Sequence, residues 1–210
     1  MATQNDKASS PAMTANSPPA AASGHEIPAT AILATDKIYL RPYDDADVDA
    51  MTEATNDAEI AKNLRSRFPS PYTADDARAW LAHCRSQPPP VASFGVFTLD
   101  GEMAGSVGLE APKGDPIYAG TRELGYFGAR KFWGRGIMSA AVREFTRWAF
   151  ATHPDLLRIE ASVFEHNEGS RRVLQKAGFV KEGTRRLALV KDGKQMNEDI
   201  FGLLRTDIAK

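Results

Sequence analysis

The residues with the plainest chemical potential stand between 129 and 139. Gly134 and Gly136 bracket a turn that follows the basic, aromatic run Arg130-Lys131-Phe132-Trp133, and a helical pattern begins at Gly136. Free amides at a helix start, with the positive end of the helix dipole, favour an anion by about 0.3–2 kcal/mol per contact, and glycine lets an oxygen approach the backbone. The run reads as an anion cradle, with Arg130, Lys131 and Arg135 adding charge. Glycine can also serve turn geometry alone.

Other phosphate patterns fit less well. Gly134, Gly136 and Ser139 fall one residue short of a dinucleotide fingerprint, and the chain offers one strand–helix–strand unit where that fold repeats it. A Gly-x-x-x-x-Gly-Lys followed by Ser or Thr is missing, and four scattered histidines give no zinc spacing, so no metal is expected. Carboxylates able to take up a proton stand on the predicted strands. Glu123 on the fourth predicted strand is preferred as the base, with an edge salt bridge as its alternative; Glu110 and Glu160 are the other candidates. Tyr126 reads as core or wall rather than acid, and Cys84 and His166 as bystanders.

The elements that must position these groups follow from patterning. Asp36 to Arg41 alternates and is closed by Pro42; Asp44 caps a helical segment, another starts near Asp57, and Thr73 with Asp76 forms a capping box for a helix reaching Ser86, before Pro88 to Pro90. Ser93–Leu99 and Met103–Leu109 read as a hairpin turning at Asp100-Gly101. The fourth strand, Arg122 to Gly128, holds Gly125 and Gly128, which point to a bulge or a close approach by another backbone. Ile137, Ala141, Phe145 and Trp148 share one face of a long helix, with Ser139, Arg143 and Arg147 opposite. Arg158–Val163 is a fifth strand, and Asn167 to Ala177 a helix ended by Gly178. A final hairpin, Leu187–Val190 and Ile200–Leu204, turns at Asp192-Gly193.

The 210 residues are 42% apolar, 9% aromatic and 25% charged, enough for one full core. Residues 1–35, rich in Ala, Ser, Pro and Thr and free of aromatics, read as a disordered tail, and 36–210 as the folded domain. Beyond that tail 25 basic residues balance 25 acidic ones, so no whole-protein field recruits nucleic acid or an anionic membrane. One cysteine, no apolar run of membrane length and no leader pattern give the expectation of a cytoplasmic protein.

Four separated motifs in order then make the chain resemble the GCN5-related N-acetyltransferase (GNAT) superfamily, and within it the ribosomal-protein N-acetyltransferase branch. They are Tyr39-Leu40-Arg41-Pro42 with Asp44 and Asp47; Glu123-Leu124-Gly125-Tyr126-Phe127; Phe132-Trp133-Gly134-Arg135-Gly136-Ile137-Met138; and Asn167-x-x-Ser170-x-x-Val173-Leu174-x-Lys176-x-Gly178-Phe179. The resemblance, over about residues 36–208, implies an α/β (α+β) GNAT fold. Such a fold is a single mixed, mostly antiparallel twisted sheet of six to seven strands, with helices on both faces and a splay between the fourth and fifth strands.

The resemblance also implies an acetyl-CoA-dependent N-acetyltransferase working by direct attack of a primary amine in a ternary complex. The amine belongs to a protein N-terminus or a small molecule. Phe127, Phe132 to Met138 (including Trp133, Gly134, Arg135, Gly136 and Ile137), Asn167, Ser170 and Arg171 are expected to bind acetyl-CoA. Ser170 protonates the leaving thiolate, and Glu123 takes the amine proton. Arg171 and Arg172 meet the 3′-phosphate or form a solvated face. Ala140, Ser162 and Leu174 replace a Glu, a catalytic Glu and an acidic Tyr carried by relatives, and the first two departures motivate the alternative of a noncatalytic acyl-CoA-binding sensor. The acceptor pocket is expected between 56–80, with Arg65, Arg67, Phe68 and Tyr72, and 190–200. A monomer or homodimer is expected, with neither nucleic acid nor membrane as partner.

Overall fold

The computed structural model describes residues 26–87, 92–110 and 114–208. One eight-stranded sheet runs through it: β1 Leu33–Ala34, β2 Ile38–Arg41, β3 Ala92–Thr98, β4 Met103–Glu110, β5 Thr121–Gly128, β6 Arg158–Phe164, β7 Val180–Lys191 and β8 Lys194–Leu204. The strand order is β1-β2-β3-β4-β5-β6-β8-β7, antiparallel throughout except for the parallel pair β5–β6. The helices are α1 Val48–Thr55, α2 Ala58–Ala61, α3 Ala74–Ser86, α4 Ile137–Thr152, α5 Glu168–Lys176 and α6 Arg205–Ile208. The sheet has eight strands against the six to seven expected, Leu33–Ala34 being the strand no pattern announces.

That strand lies within the stretch read as tail. It pairs with Leu40 and Tyr39, and Leu33 and Ala34 pack on the core, so ordered structure begins before Asp36. Two residues carry too short a pattern to announce a strand; the partner creates it. Residues 1–25 of the expected tail and Pro88 to Pro90 lie outside the described residues.

Local signals act as their chemistry dictates. Thr73 and Asp76 close a reciprocal capping box, as do Asp44 and Asp47, and Asp57 caps α2. Asp192 and Gly193 both take positive φ, the two-residue turn that a right-twisted hairpin favours. Gly178 ends α5 at φ +95°. Asp47 is also buried and accepts two 2.7 Å bonds from Arg41, an ion pair that ties β2 to the start of α1.

Both faces of β4 are buried, and the period of two sorts them. Ser106 bonds Tyr43 at 2.5 Å on the side of α1 and α3, whereas Gly105 touches Met138 of α4 on the other. On that side α4 buries Ile137, Ala141, Phe145 and Ala149, and Phe94 packs edge-on against Phe145 and Trp148.

The bulge expected in Arg122–Gly128 falls elsewhere. β4 and β5 keep continuous register from Gly105↔Gly128 to Glu110↔Glu123, and the shift lies between Val96 and Phe97 of β3, opposite β4. Of the two β5 glycines, Gly128 serves close approach, of a side chain and not a backbone: it lets Met138 lie on the sheet. At Gly105, φ +156°, a Cβ would fall 2.2 Å from the Phe127 carbonyl oxygen. Gly105→Ala is therefore expected to lower stability by more than about 2 kcal/mol. Gly128→Ala should cost less, because its nearest obstacle is the flexible Met138 side chain at 2.7 Å; thermal and urea melts of the two variants rank them.

Candidate active site

β5 and β6 pair over three residues only, Thr121↔Arg158 to Glu123↔Glu160. β5 then runs on to Gly128 and β6 to Phe164, so each leaves a backbone edge facing the gap. The gap opens a cleft of about 1370 Å³ that touches both faces of the sheet.

On the α4 side the cleft wall includes the loop read as an anion cradle. Gly134 and Gly136 take φ +76° and +77°, and a Cβ at either would meet nothing within 4 Å, so both face open space. The first bond of α4 runs from the Ala140 amide to the Gly136 carbonyl, 3.0 Å, which places the amides of Ile137, Met138 and Ser139 ahead of the helical ladder. Phe132 is buried and anchors the loop, and Trp133 donates from Nε1 to the Gly128 carbonyl at 2.7 Å. The cradle is thus made of backbone, and its flanking charges turn elsewhere. Arg130 lies 3.5 Å from Asp57, Lys131 3.2 Å from Glu102, and the Arg135 guanidinium sits over the Phe132 ring.

Beside it, α5 presents Ser170 to the cleft. Its Oγ is 2.6 Å from the Tyr126 hydroxyl, which also lies 3.2 Å from the Ser170 carbonyl oxygen. Burial pushes the Tyr126 phenol far above its ordinary value, with the Ser170 bond opposing, so the phenol keeps its proton, and either hydroxyl can donate in the bond between them. Asn167 caps α5, accepting the Ser170 amide at 3.0 Å through Oδ1, while its side chain also forms cleft wall.

The opposite face carries carboxylates. Glu110 and Glu123 are directly paired across β4 and β5, on the face that Ser106 shares with α1 and α3. Arg65 bonds Glu123 and lies 3.9 Å from Glu110, and Arg67 bonds Glu110. Further in, Phe68 stacks on Tyr72 at 5.2 Å and tilts against Phe127 at 6.5 Å, and Trp80 and Cys84 line the same space. Burial pushes the Cys84 thiol up to about 11, leaving it protonated at neutral pH.

Comparison with known proteins agrees with this geometry. A family profile described as "Acetyltransferase (GNAT) domain" matches residues 37–180. The chain belongs to the GNAT acetyltransferase family. It is 32% identical to the Bacillus subtilis protein named "Probable N-acetyltransferase YjcK" over 175 residues, 81% of this chain and 95% of that one. Among solved structures it superposes on the ribosomal-protein-S5-alanine acetyltransferase of Vibrio fischeri with a TM-score of 0.70 and 23% identity, covering 83% of this chain and 97% of that one. Mycobacterium smegmatis RimJ in complex with CoA-disulfide gives 0.71 at 21% identity, covering 82% of this chain and 84% of that one.

Within this GNAT chain, Phe127, Phe132, Trp133, Gly134, Gly136, Ile137, Met138, Asn167 and Ser170 gather on the cleft wall, as does Glu123. Two of the expected contacts point away. Arg135 covers Phe132, and Arg171 reaches Glu168 at 2.7 Å and the buried Asp199 at 3.1 Å; Arg172 forms cleft wall in its place. The expected acceptor segment 56–80 lines the cleft, whereas the hairpin stretch 190–200 supplies Glu198. Sequence reasoning missed the Tyr126–Ser170 bond. The signal was strand alternation: Tyr126 falls on the opposite face from Glu123, the one that α4 and α5 cover.

Asp199 is what holds Arg171 aside. Burial opposes its charge, but bonds from Lys181 at 2.7 Å and Thr184 at 2.6 Å, with the charges of Lys181 and Arg171, outweigh this and hold the carboxyl below its usual range. A lowered folded value stabilises the fold above the unfolded pKa of about 3.9 and loses that contribution as pH falls through the folded value. Asp199→Asn should therefore melt below wild type at pH 7, with the gap closing at acid pH; paired melts across that range check it.

Proposed function

We propose that this chain transfers the acetyl group of acetyl-CoA to a primary amine by direct attack in a ternary complex. The observation that carries the reading is a single cleft that crosses the sheet at the β5–β6 split, with an amide cradle on one face and a carboxylate pair on the other. The residues fit the donor. The open side of Gly134 and Gly136 and the amides of Ile137 to Ser139 would hold its diphosphate. The unpaired edge of β5 beyond Glu123, with the Asn167 amide group, would hold its extended arm. When bound, acetyl-CoA supplies an activated thioester whose sulfur leaves as a thiolate.

The chain's own groups handle the protons. An alkylamine with a pKa near 10.4 arrives protonated and must lose a proton before its lone pair can attack. Glu123, on the acceptor face, is placed to accept it directly or through water, and Glu110 is its neighbour. The Ser170 hydroxyl holds a proton on the cleft wall, and its bond to the Tyr126 phenol orients it. The acceptor is a peptide α-amine or a small-molecule amine that enters past Phe68 and Tyr72. The alternative, an acyl-CoA sensor without turnover, is favoured by one observation: Arg65 already engages Glu123.

Calorimetry with acetyl-CoA should show saturable binding, and thiol release with a panel of peptides and small amines should show turnover. Ser170→Ala is expected to lower kcat about ten- to a hundredfold with acetyl-CoA binding within a few-fold of wild type. Binding without turnover for any amine supports the sensor, and absence of binding by folded protein overturns both. Gly125 faces open cleft, its nearest would-be contact being Glu110 Oε1 at 3.8 Å. Gly125→Leu should keep the fold and acetyl-CoA affinity while abolishing acetylation, read by the same two assays.

A further inference from the structure

Residues 62–68 leave α2 and cross the acceptor end of the cleft, tied at both flanks of the split. Lys191, the last residue of β7, donates from Nζ to the Ala61 carbonyl at 2.7 Å and to the Leu64 carbonyl, and lies 5.9 Å from the centre of the Phe164 ring. From the other flank β5 and β4 offer Glu123 and Glu110, which Arg65 and Arg67 engage. The segment therefore bridges the two halves of the sheet where they part.

The two ties differ in kind. The side chains of Arg65, Arg67, Glu110 and Glu123 are 45%, 65%, 40% and 21% exposed, so each pair is weakly held and exchanges readily. The structural pair Arg41–Asp47, at 16% and 7%, is of the other sort. Lys191 is half-buried and bonds two carbonyls at once, which makes it the firmer end. Glu110 and Glu123 meanwhile face each other across the ladder, where two like charges repel unless a cation lies between them. Arg65, in reach of both, supplies that cation.

The geometry points to a cation subsite formed by Glu110 and Glu123, which Arg65 fills from within the chain until an acceptor arrives, on a strap of residues 62–68 anchored by Lys191. This deepens the proposed function and rests on it for the natural occupant: a protonated primary amine that exchanges with the guanidinium, leaving the charge of the site unchanged. Arg65 is then a specificity-determining residue, because a neutral or anionic compound cannot replace it between two carboxylates.

Two measurements on the full chain, neither needing turnover, test this. Hydrogen exchange of amides 62–68 should quicken about five- to tenfold in Lys191→Met and in Glu110→Gln/Glu123→Gln, with α4 and β6 unchanged and Lys191→Arg restoring protection. Unchanged exchange in both variants overturns the strap. Arg65→Ala should be stabilised against heat by millimolar n-propylammonium chloride relative to sodium chloride at equal ionic strength. Wild type should respond less, and Arg65→Ala in the double-glutamine background not at all. An equal response in all three overturns the subsite. Acetyl-CoA calorimetry on the same samples separates the two ideas: retained binding with no cation response sinks the subsite alone, and lost binding sinks the proposed function.

Discussion

Everything the site does depends on one constraint: the only parallel pairing among the described residues, β5 with β6, stops after three residues. A parallel pair needs a crossover, and here the crossover is α4, whose first turn is thereby set beside the end of β5. Because the strands then part, one helix start, one strand edge and the N-terminal turn of α5 converge on the same opening. Backbone N–H and C=O groups that a closed sheet would consume are left facing the gap, a costly arrangement unless water or a ligand satisfies them.

Twist and alternation divide the chemistry between the faces. Tyr126 and Ser170 meet on the side of α4 and α5, and Glu110 and Glu123 on the side of α1 and α3. The short spacing of Glu123 and Tyr126 along β5 puts a carboxylate and a pair of hydroxyls on opposite sides of one cleft. The cradle needs no charged side chain, which explains why Arg130, Lys131 and Arg135 can be spent on Asp57, Glu102 and the Phe132 ring without loss to it. Charge in this molecule works where it is half-buried, at Arg41–Asp47 and around Asp199, and stays exchangeable where it is wet, at the strap.

Legibility in the sequence followed the range of the interaction. Thr73 with Asp76, Asp192 with Gly193, and Gly178 act within a few residues, and each produced the element expected of it. Gly134 and Gly136 belong here too, since positive φ and open surroundings are what a bare turn requires. The misplaced bulge, the unannounced strand at Leu33–Ala34 and the turning of Arg171 onto Asp199 all involve partners far along the chain, which no local pattern encodes. The bond between Tyr126 and Ser170 spans 44 positions and joins a strand to a helix, so alternation gave its face but not its partner.

By itself the sequence determined the period of each element, its caps and turns, the open conformation of the glycine loop and, through the order of its motifs, the family. Those properties arise from dihedral preference and nearest-neighbour bonding. Only the tertiary structure decided which carboxylates share a face, that Arg65 stands between them, and that Lys191 reaches the carbonyls of Ala61 and Leu64, 130 and 127 positions away. Those are choices among many charged groups of similar intrinsic affinity, and only the packing of strands and helices brings one set within bonding distance.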